Sequence, residues 1–227
     1  MVDFTGGTWR SLIDGSEVSD IPDSAIVQLD ARDSDTITQS NGEVTGWEDR
    51  VTGETLTGTA DGLGDINGNQ AVTFDHNESH GLDTDQINPT APNTAFVVVD
   101  LDDAGGNRTA LGSEGSGSPL LRWDGEWQYL RDGSTQLGTS TDGVTLLTVT
   151  EPENTGEVVL REDGTETSSS TDESGESLDG LSVGHRASEN DRVWSGEIGF
   201  LEIHGGEPDG GLESREQEIA DEWDIDI

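Results

Sequence analysis

The apolar runs of this chain are five to eight residues long, and turn residues separate them. The longest are AIVQLDA (25–31), TAFVVVDL (94–101), VTLLTVT (144–150) and EIGFLEIH (197–204). AVTFD (71–75), PLLRWD (119–124), EWQYL (126–130), GEVVL (156–160) and LSVGH (181–185) fill the intervals, with Gly, Asp, Asn and Ser between them. Runs this short and this β-rich predict an all-β chain, a sandwich or a jelly roll. TAFVVVDL is apolar on both faces, as a central strand must be. Only LESREQEIADEWDI reads as helix: Leu212, Ile219 and Trp223 recur at helical spacing. We expect one α-helix over 212–223, anchored on the sandwich by Trp223, with Ser214 and Gln217 as a capping box.

A sandwich needs one inward face per strand, so the low 29% hydrophobic content suffices. The surface is unusual. Forty-nine acidic residues face 10 basic ones, all arginine, for a formal net charge of −39. Such a density repels itself in dilute buffer; at about 1 M salt the screening length falls to roughly 3 Å and the repulsion fades. The composition therefore points to a hypersaline habitat. It argues against nucleic acid, whose phosphates need cations, and against an anionic membrane surface. Cysteine is absent, which excludes disulfides and thiolate metal sites. The N-terminal segment has no basic-then-apolar leader. Residues 1–22 lack a clean period; with Phe4, Trp9, Leu12 and Ile13 among glycines, they are expected to form a docking arm before a domain spanning 23–227. Residues 162–179 read as an exposed strand followed by a long loop.

The order of segments carries a resemblance. AIVQLDARDSDTITQSNGEVTGWEDRVTG is followed by AVTFDHNESHGL and TAFVVV, then by LSVGHRASENDRVWSGEIGFLEIHGG and the terminal helix. This series resembles the laminin-G-like domains of the concanavalin A-like lectin/glucanase superfamily over roughly residues 24–225. That family's form is common in microbial adhesins and tailed-virus structural proteins. His76 and Asn77 stand where a glycine usually follows the FD pair, and Asp163-Gly164 replaces the usual Asn-Gly turn. The resemblance implies a two-sheet antiparallel jelly-roll sandwich of roughly a dozen strands and leaves function open.

Retaining glycoside hydrolysis needs two carboxyls about 5 Å apart. Glu197 and Glu202 are the nearest pair, but five residues of regular strand would point them to opposite faces. No G-x-S-x-G elbow occurs, and the four histidines, His76, His80, His185 and His204, lie in unrelated contexts. No catalytic residue is assigned, and the chain is expected not to be an enzyme. His76 and His80, four apart, could form a zinc pair, though solvent-facing histidines suit that turn-rich segment better. Asp61, Asp65, Asn67 and Asn69 alternate as oxygen ligands would, so a structural calcium site is open there, although Gln70 and His76 break the EF-hand template.

The stretch LLRWDGEWQYLRDG concentrates aromatic rings and arginines in an otherwise polar chain. Asp124-Gly125 predicts a two-residue hairpin, with Trp123 opposite Glu126, Arg122 opposite Trp127 and Leu120 opposite Tyr129. One face, with Leu121, Trp123, Gln128 and Leu130, reads as core. The other, with Arg122, Trp127 and Tyr129, stacks a cation on aromatic rings. That face could lie under a loop or the N-terminal arm, dock a subunit, or stack on a sugar ring. Together these features lead us to expect a non-enzymatic structural protein on the virion surface of a haloarchaeal virus: a capsid turret, spike or tail-fibre component assembled in a high-salt cytoplasm. Its partners would be other virion proteins, copies of itself, or a host-surface glycan. A carbohydrate-binding adhesion module of the haloarchaeal cell surface is the alternative.

Overall fold

The computed structural model describes residues 18, 20–78, 80–102, 106–113, 118–123, 126–130, 134–139, 143–151, 156–172, 179–187 and 192–227. Within these, only the backbone is described for 118–123, 129–130, 134–136, 138–139, 156 and 168–172. The N-terminal arm, with Phe4, Trp9, Leu12 and Ile13, lies outside the described residues.

The strands, in chain order, are β1 (Ala25–Asp30), β2 (Ile37–Ser40), β3 (Glu43–Glu48), β4 (Thr55–Ala60), β5 (Gly62–Ile66) and β6 (Asn69–Phe74). Then come β7 (Gly81–Thr84), β8 (Asn93–Leu101), β9 (Arg108–Gly112), β10 (Ser118–Trp123), β11 (Glu126–Leu130) and β12 (Ser134–Thr139). Last are β13 (Gly143–Glu151), β14 (Gly156–Glu162), β15 (Thr165–Asp172), β16 (Leu181–Val183), β17 (Gly196–His204) and the helix α1 (Leu212–Trp223). They form two antiparallel sheets. One runs β15-β14-β13-β8-β17-β6-β5, with β1 also pairing with β17; the other runs β12-β11-β10-β9-β16-β7-β4-β3-β2. The expected all-β sandwich with one C-terminal helix is what the chain forms.

Between the sheets lies the main core, which includes Val27, Leu29, Trp47, Leu56, Leu147 and Trp194. A second core fills the space between the outer face of the first sheet and α1: Ile66, Phe96, Val98, Phe200, Ile219 and Trp223 are buried there. β8 is sandwiched between the two, which explains its lack of a polar face. Ala95, Val97 and Val99 point inward to one core, and Phe96 and Val98 outward to the other.

β17 is the pivot of this arrangement. Its first half pairs with β6 and its second with β1, while β8 runs along its other side. A bulge between Ile198 and Phe200 separates the halves and bends the strand. The extra residue is Gly199, and the Trp223 ring lies directly on it: a Cβ there would fall 2.4 Å from the ring.

α1 starts at Leu212 with Gly211 as N-cap and no side-chain cap, so the expected Ser214–Gln217 box is not used. Ser214 already lies inside the first turn. Ion pairs hold the helix on both flanks instead. Arg215 reaches Glu202 of β17 at 2.8 Å, and Arg161 of β14 reaches Glu216 at 2.8 Å. No helix among the described residues is long and apolar enough to cross a membrane.

Candidate functional site at the rim of the sandwich

One end of the sandwich gathers polar side chains from segments far apart in sequence. Asp61, between β4 and β5, accepts hydrogen bonds from the backbone N–H of Asp75 at 2.6 Å and contacts His80 Nδ1 at 3.0 Å. His76 Nδ1 lies 3.1 Å from the hydroxyl of Ser195, just before β17. The carbonyl of Ser195 accepts from the backbone of Asp102 at 3.1 Å, which ties in the end of β8. His185 lies over the backbone of Gly81, where any Cβ would strike its ring at 2.0 Å, and its Nε2 is 3.2 Å from Asp83. Three of the four histidines thus stand on one rim, His185 buried and His76 and His80 half-buried. Asp75, held by backbone and side-chain N–H groups of Asn77, has its pKa lowered, so it presents a firm negative charge beside them.

An acidic strip continues from this rim across the outer face of the first sheet. Glu197 of β17 stands opposite Asp100 of β8 on one side and Thr73 of β6 on the other. The Thr73 hydroxyl donates to Glu197 at 3.2 Å. Burial, then the charges of Asp102, Asp100 and Asp65, raise the pKa of Glu197, and burial and Asp102 raise that of Asp100. Opposed residues of neighbouring strands have Cβ atoms roughly 5 Å apart. A carboxyl biased toward protonation beside a second one is the raw material of acid–base chemistry.

Raised values mean that these carboxylates oppose folding at neutral pH. The folded chain binds their protons more tightly than the unfolded one, so stability falls as pH rises from the unfolded to the folded value. Glu197→Gln should therefore stabilise the fold at neutral pH, by less than about 1 kcal/mol once solvent screening is allowed for, and raise its melting temperature accordingly. The gain should vanish below about pH 4, where the unfolded glutamate is also protonated. Thermal melts of both proteins across that range would check it.

The expectation that Glu197 and Glu202 point to opposite faces is corrected. The bulge at Gly199 shifts the phase of β17, so the two acids share the outer face instead of pointing to opposite ones. Phe200 lies between them, and Glu202 is tied to Arg215 and His204. The acid that faces Glu197 is Asp100, on a strand nearly 100 residues away in sequence.

The calcium ligands expected at Asp61, Asp65, Asn67 and Asn69 do not converge. Asn67-Gly68 is a hairpin turn with φ of 52° and 86°, and Asp65 accepts from the Gly68 N–H at 3.0 Å. The amides of Asn67 and Asn69 reach instead for the carbonyls at the end of α1: Trp223 at 2.9 Å, Asp224 at 3.0 Å and Glu222 at 3.4 Å. Their alternation serves a turn and a helix C-terminus. Among the described residues, no group of three or more His, Asp or Glu is placed to hold a metal ion. His76 and His80, as a zinc pair, turn to different partners, Ser195 and Asp61.

In the aromatic hairpin, the pairing follows expectation where it was clearest: Arg122 opposite Trp127 and Trp123 opposite Glu126. Trp127 does not take the outward face expected of it. Trp127 is fully buried between the sheets, stacked on Trp194 with ring centroids 6.2 Å apart, and its indole N–H donates to Glu162 at 2.6 Å. The buried ring it packs against is that of Trp194. Nothing in the local alternation of LLRWDGEWQYL shows it. The side chains of Arg122 and Tyr129 lie outside the described residues. The sequence reading also missed the Glu197–Asp100 pair and the His76–Ser195 and His80–Asp61 contacts. The HNESH cluster in a loop was the one available signal for the latter.

No family model matches the chain, and no curated protein matches it. Solved structures do. Domain 4 of a GH43 extracellular arabinanase from Geobacillus stearothermophilus, in complex with arabinotriose, superposes with a TM-score of 0.58 at 15% identity, covering 88% of this chain and 100% of that one. A mutant of Trypanosoma rangeli sialidase displaying trans-sialidase activity gives 0.60 at 13% identity over 90% of this chain, and that sialidase in complex with sialic acid gives 0.55 at 15% over 87%. This chain spans about a third of the sialidases, 34% and 32% of their lengths. At such identities the likeness is one of fold, a β-sandwich. The expectation that the chain is not an enzyme is corrected here, because structures with this fold include parts of a GH43 arabinanase and of a sialidase.

Proposed function

We propose that this chain is a carbohydrate-recognition sandwich that holds a glycan at the rim formed by Asp61, Asp75, His76, His80 and Asp83. The observation that carries the reading is its match to the whole of the arabinanase domain solved with arabinotriose. The rim supports it, because its imidazoles and carboxylates offer donors and acceptors suited to sugar hydroxyls. The setting we propose is a surface in concentrated salt: the exterior of a haloarchaeal virion, where the chain would contact other virion proteins and its own copies, or else the cell surface. The lysine-free, acidic composition supports that setting.

Calorimetric titration of arabinotriose and of sialic acid into the full chain in molar KCl tests the reading. Binding should appear with a micromolar to millimolar Kd, and His76→Ala should weaken it about tenfold, or 1.4 kcal/mol. Silent titrations with both sugars, together with a blank array of polysaccharides, would sink it. The facing carboxyls Glu197 and Asp100 favour a second reading, glycoside cleavage at the acidic strip. Failure to release reducing ends from arabinan or sialosides would remove it.

A further inference from the structure

At the far end of β17 from the rim, His204 lies fully buried between an acid and a hydroxyl. Its Nε2 is 2.7 Å from Glu202 Oε1, and its Nδ1 is 2.9 Å from Ser24 Oγ. Phe96 meets the ring edge-on, with centroids 5.6 Å apart. Burial alone would raise the pKa of Glu202. Hydrogen bonds from His204, Arg215 and Gln28 and the charge of Arg215 outweigh it and hold the carboxyl below the usual range.

That charge state fixes the protons. An ionised Glu202 only accepts, so the imidazole Nε2 must carry the hydrogen. Nδ1 is then a bare lone pair, and the Ser24 hydroxyl must donate to it. The backbone N–H of Asp209 donates to Ser24 Oγ at 3.0 Å. One lone pair of Oγ is left over, and Ser24 is half-buried at the surface while His204 and Glu202 are sealed beneath it. Serine, imidazole and carboxylate in this order form the relay that activates a nucleophilic hydroxyl, recognised by geometry rather than chain order.

We propose that Ser24 is an activated nucleophile and that the chain hydrolyses short-chain carboxylic esters there. The imidazole has no exposed edge, so the acyl group must approach Oγ from solvent, which suits a small ester. Ser24 Oγ attacks the carbonyl carbon as its proton passes to His204 Nδ1, and Glu202, a positioning residue, stabilises the imidazolium. The intermediate collapses, the C–O bond to the leaving group breaks, and the alcohol departs with the proton from Nδ1. Water then attacks the acyl-serine, giving a proton to Nδ1. Release of the carboxylic acid returns that proton to Ser24. This inference is independent of the glycan reading.

The test uses the full chain in molar KCl with an alkyl fluorophosphonate, followed by peptide mapping, and with p-nitrophenyl acetate. Covalent label is expected on Ser24, and Ser24→Ala should slow p-nitrophenol release about 100-fold or more. Because the chain contains no cysteine, Ser24→Cys introduces one thiol. Beside His204 it should be alkylated by iodoacetamide at least about 10-fold faster than free cysteine at neutral pH. An unlabelled Ser24, an alanine variant as fast as the parent, or a thiol no more reactive than free cysteine would each reduce the relay to a structural tie.

Discussion

Trp223→Ala should destabilise the fold by about 3–5 kcal/mol, the range for removing a large buried ring. Trp223 is fully buried and is the point at which α1 meets the sheet. It rests on the Gly199 backbone, packs in the cluster with Ile66, Phe96, Phe200 and Ile219, and is covered by the Arg32 guanidinium 4.9 Å above its centroid. Arg32 is in turn held by Asp30 at 2.8 Å and Glu222 at 2.9 Å. The surroundings cannot close on the void, because the glycine has no side chain to move and the cation is pinned. Thermal melts in molar KCl would read the loss, at roughly 2–4 °C per kcal/mol for a chain of this size. A shift of only a degree or two would mean that the helix contributes little to the stability of the sandwich.

Arg215→Ala should be comparably severe, at about 3–5 kcal/mol, by a different route. Arg215 donates to both oxygens of Glu202 at 2.8 Å, and Glu202 has no exposure to water. Losing the cation leaves a sealed carboxylate with only His204 and Gln28 as partners. The effect depends on pH with a definite sign. The folded pKa of Glu202 lies below its unfolded value, so its stabilising contribution is complete above about 4.3. It disappears as pH falls from there through the folded value. The parent should lose stability over that acidic interval, and the variant should lose much less, since its carboxylate is no longer held down. Melts of both proteins from neutral to strongly acidic pH would show the two curves converging; parallel curves would contradict the assignment.

The sequence disclosed those parts of the fold that are strongly apolar. β8 announced itself because both its faces are buried, and α1 because Leu212, Ile219 and Trp223 keep a helical interval in a chain that otherwise alternates. β2, β3, β4, β5, β7, β9 and β12 did not, because ITQS, EVTGWE, TLTGTA, GLGDI, GLDT, RTALG and STQLGT carry only one or two large apolar residues each. They are strands because of their sheet neighbours, a property no single segment encodes. The site was less legible for the same reason. Glu197 meets Asp100, and His76 meets Ser195, only through cross-strand placement. Trp127 was misread because an outward and an inward aromatic look alike until Trp194 is set against it. Asn67 and Asn69 looked like metal ligands because oxygen donors that finish a helix and those that hold an ion are the same atoms.

Gly199 works like an inserted letter in a two-letter code. Ahead of it Glu197 faces outward and Ile198 inward; beyond it Phe200, Glu202 and His204 face outward and Leu201 and Ile203 inward. Running the strand straight through that residue, with no bulge, would exchange the destinations of everything downstream, sending an acid and an imidazole into oil and two aliphatic chains into the place where a helix expects charge. The meeting of Ser24 with His204 is thus a product of frame as much as of residue identity, and a homologue that paired through position 199 without the bulge could keep every one of these amino acids and lose the arrangement.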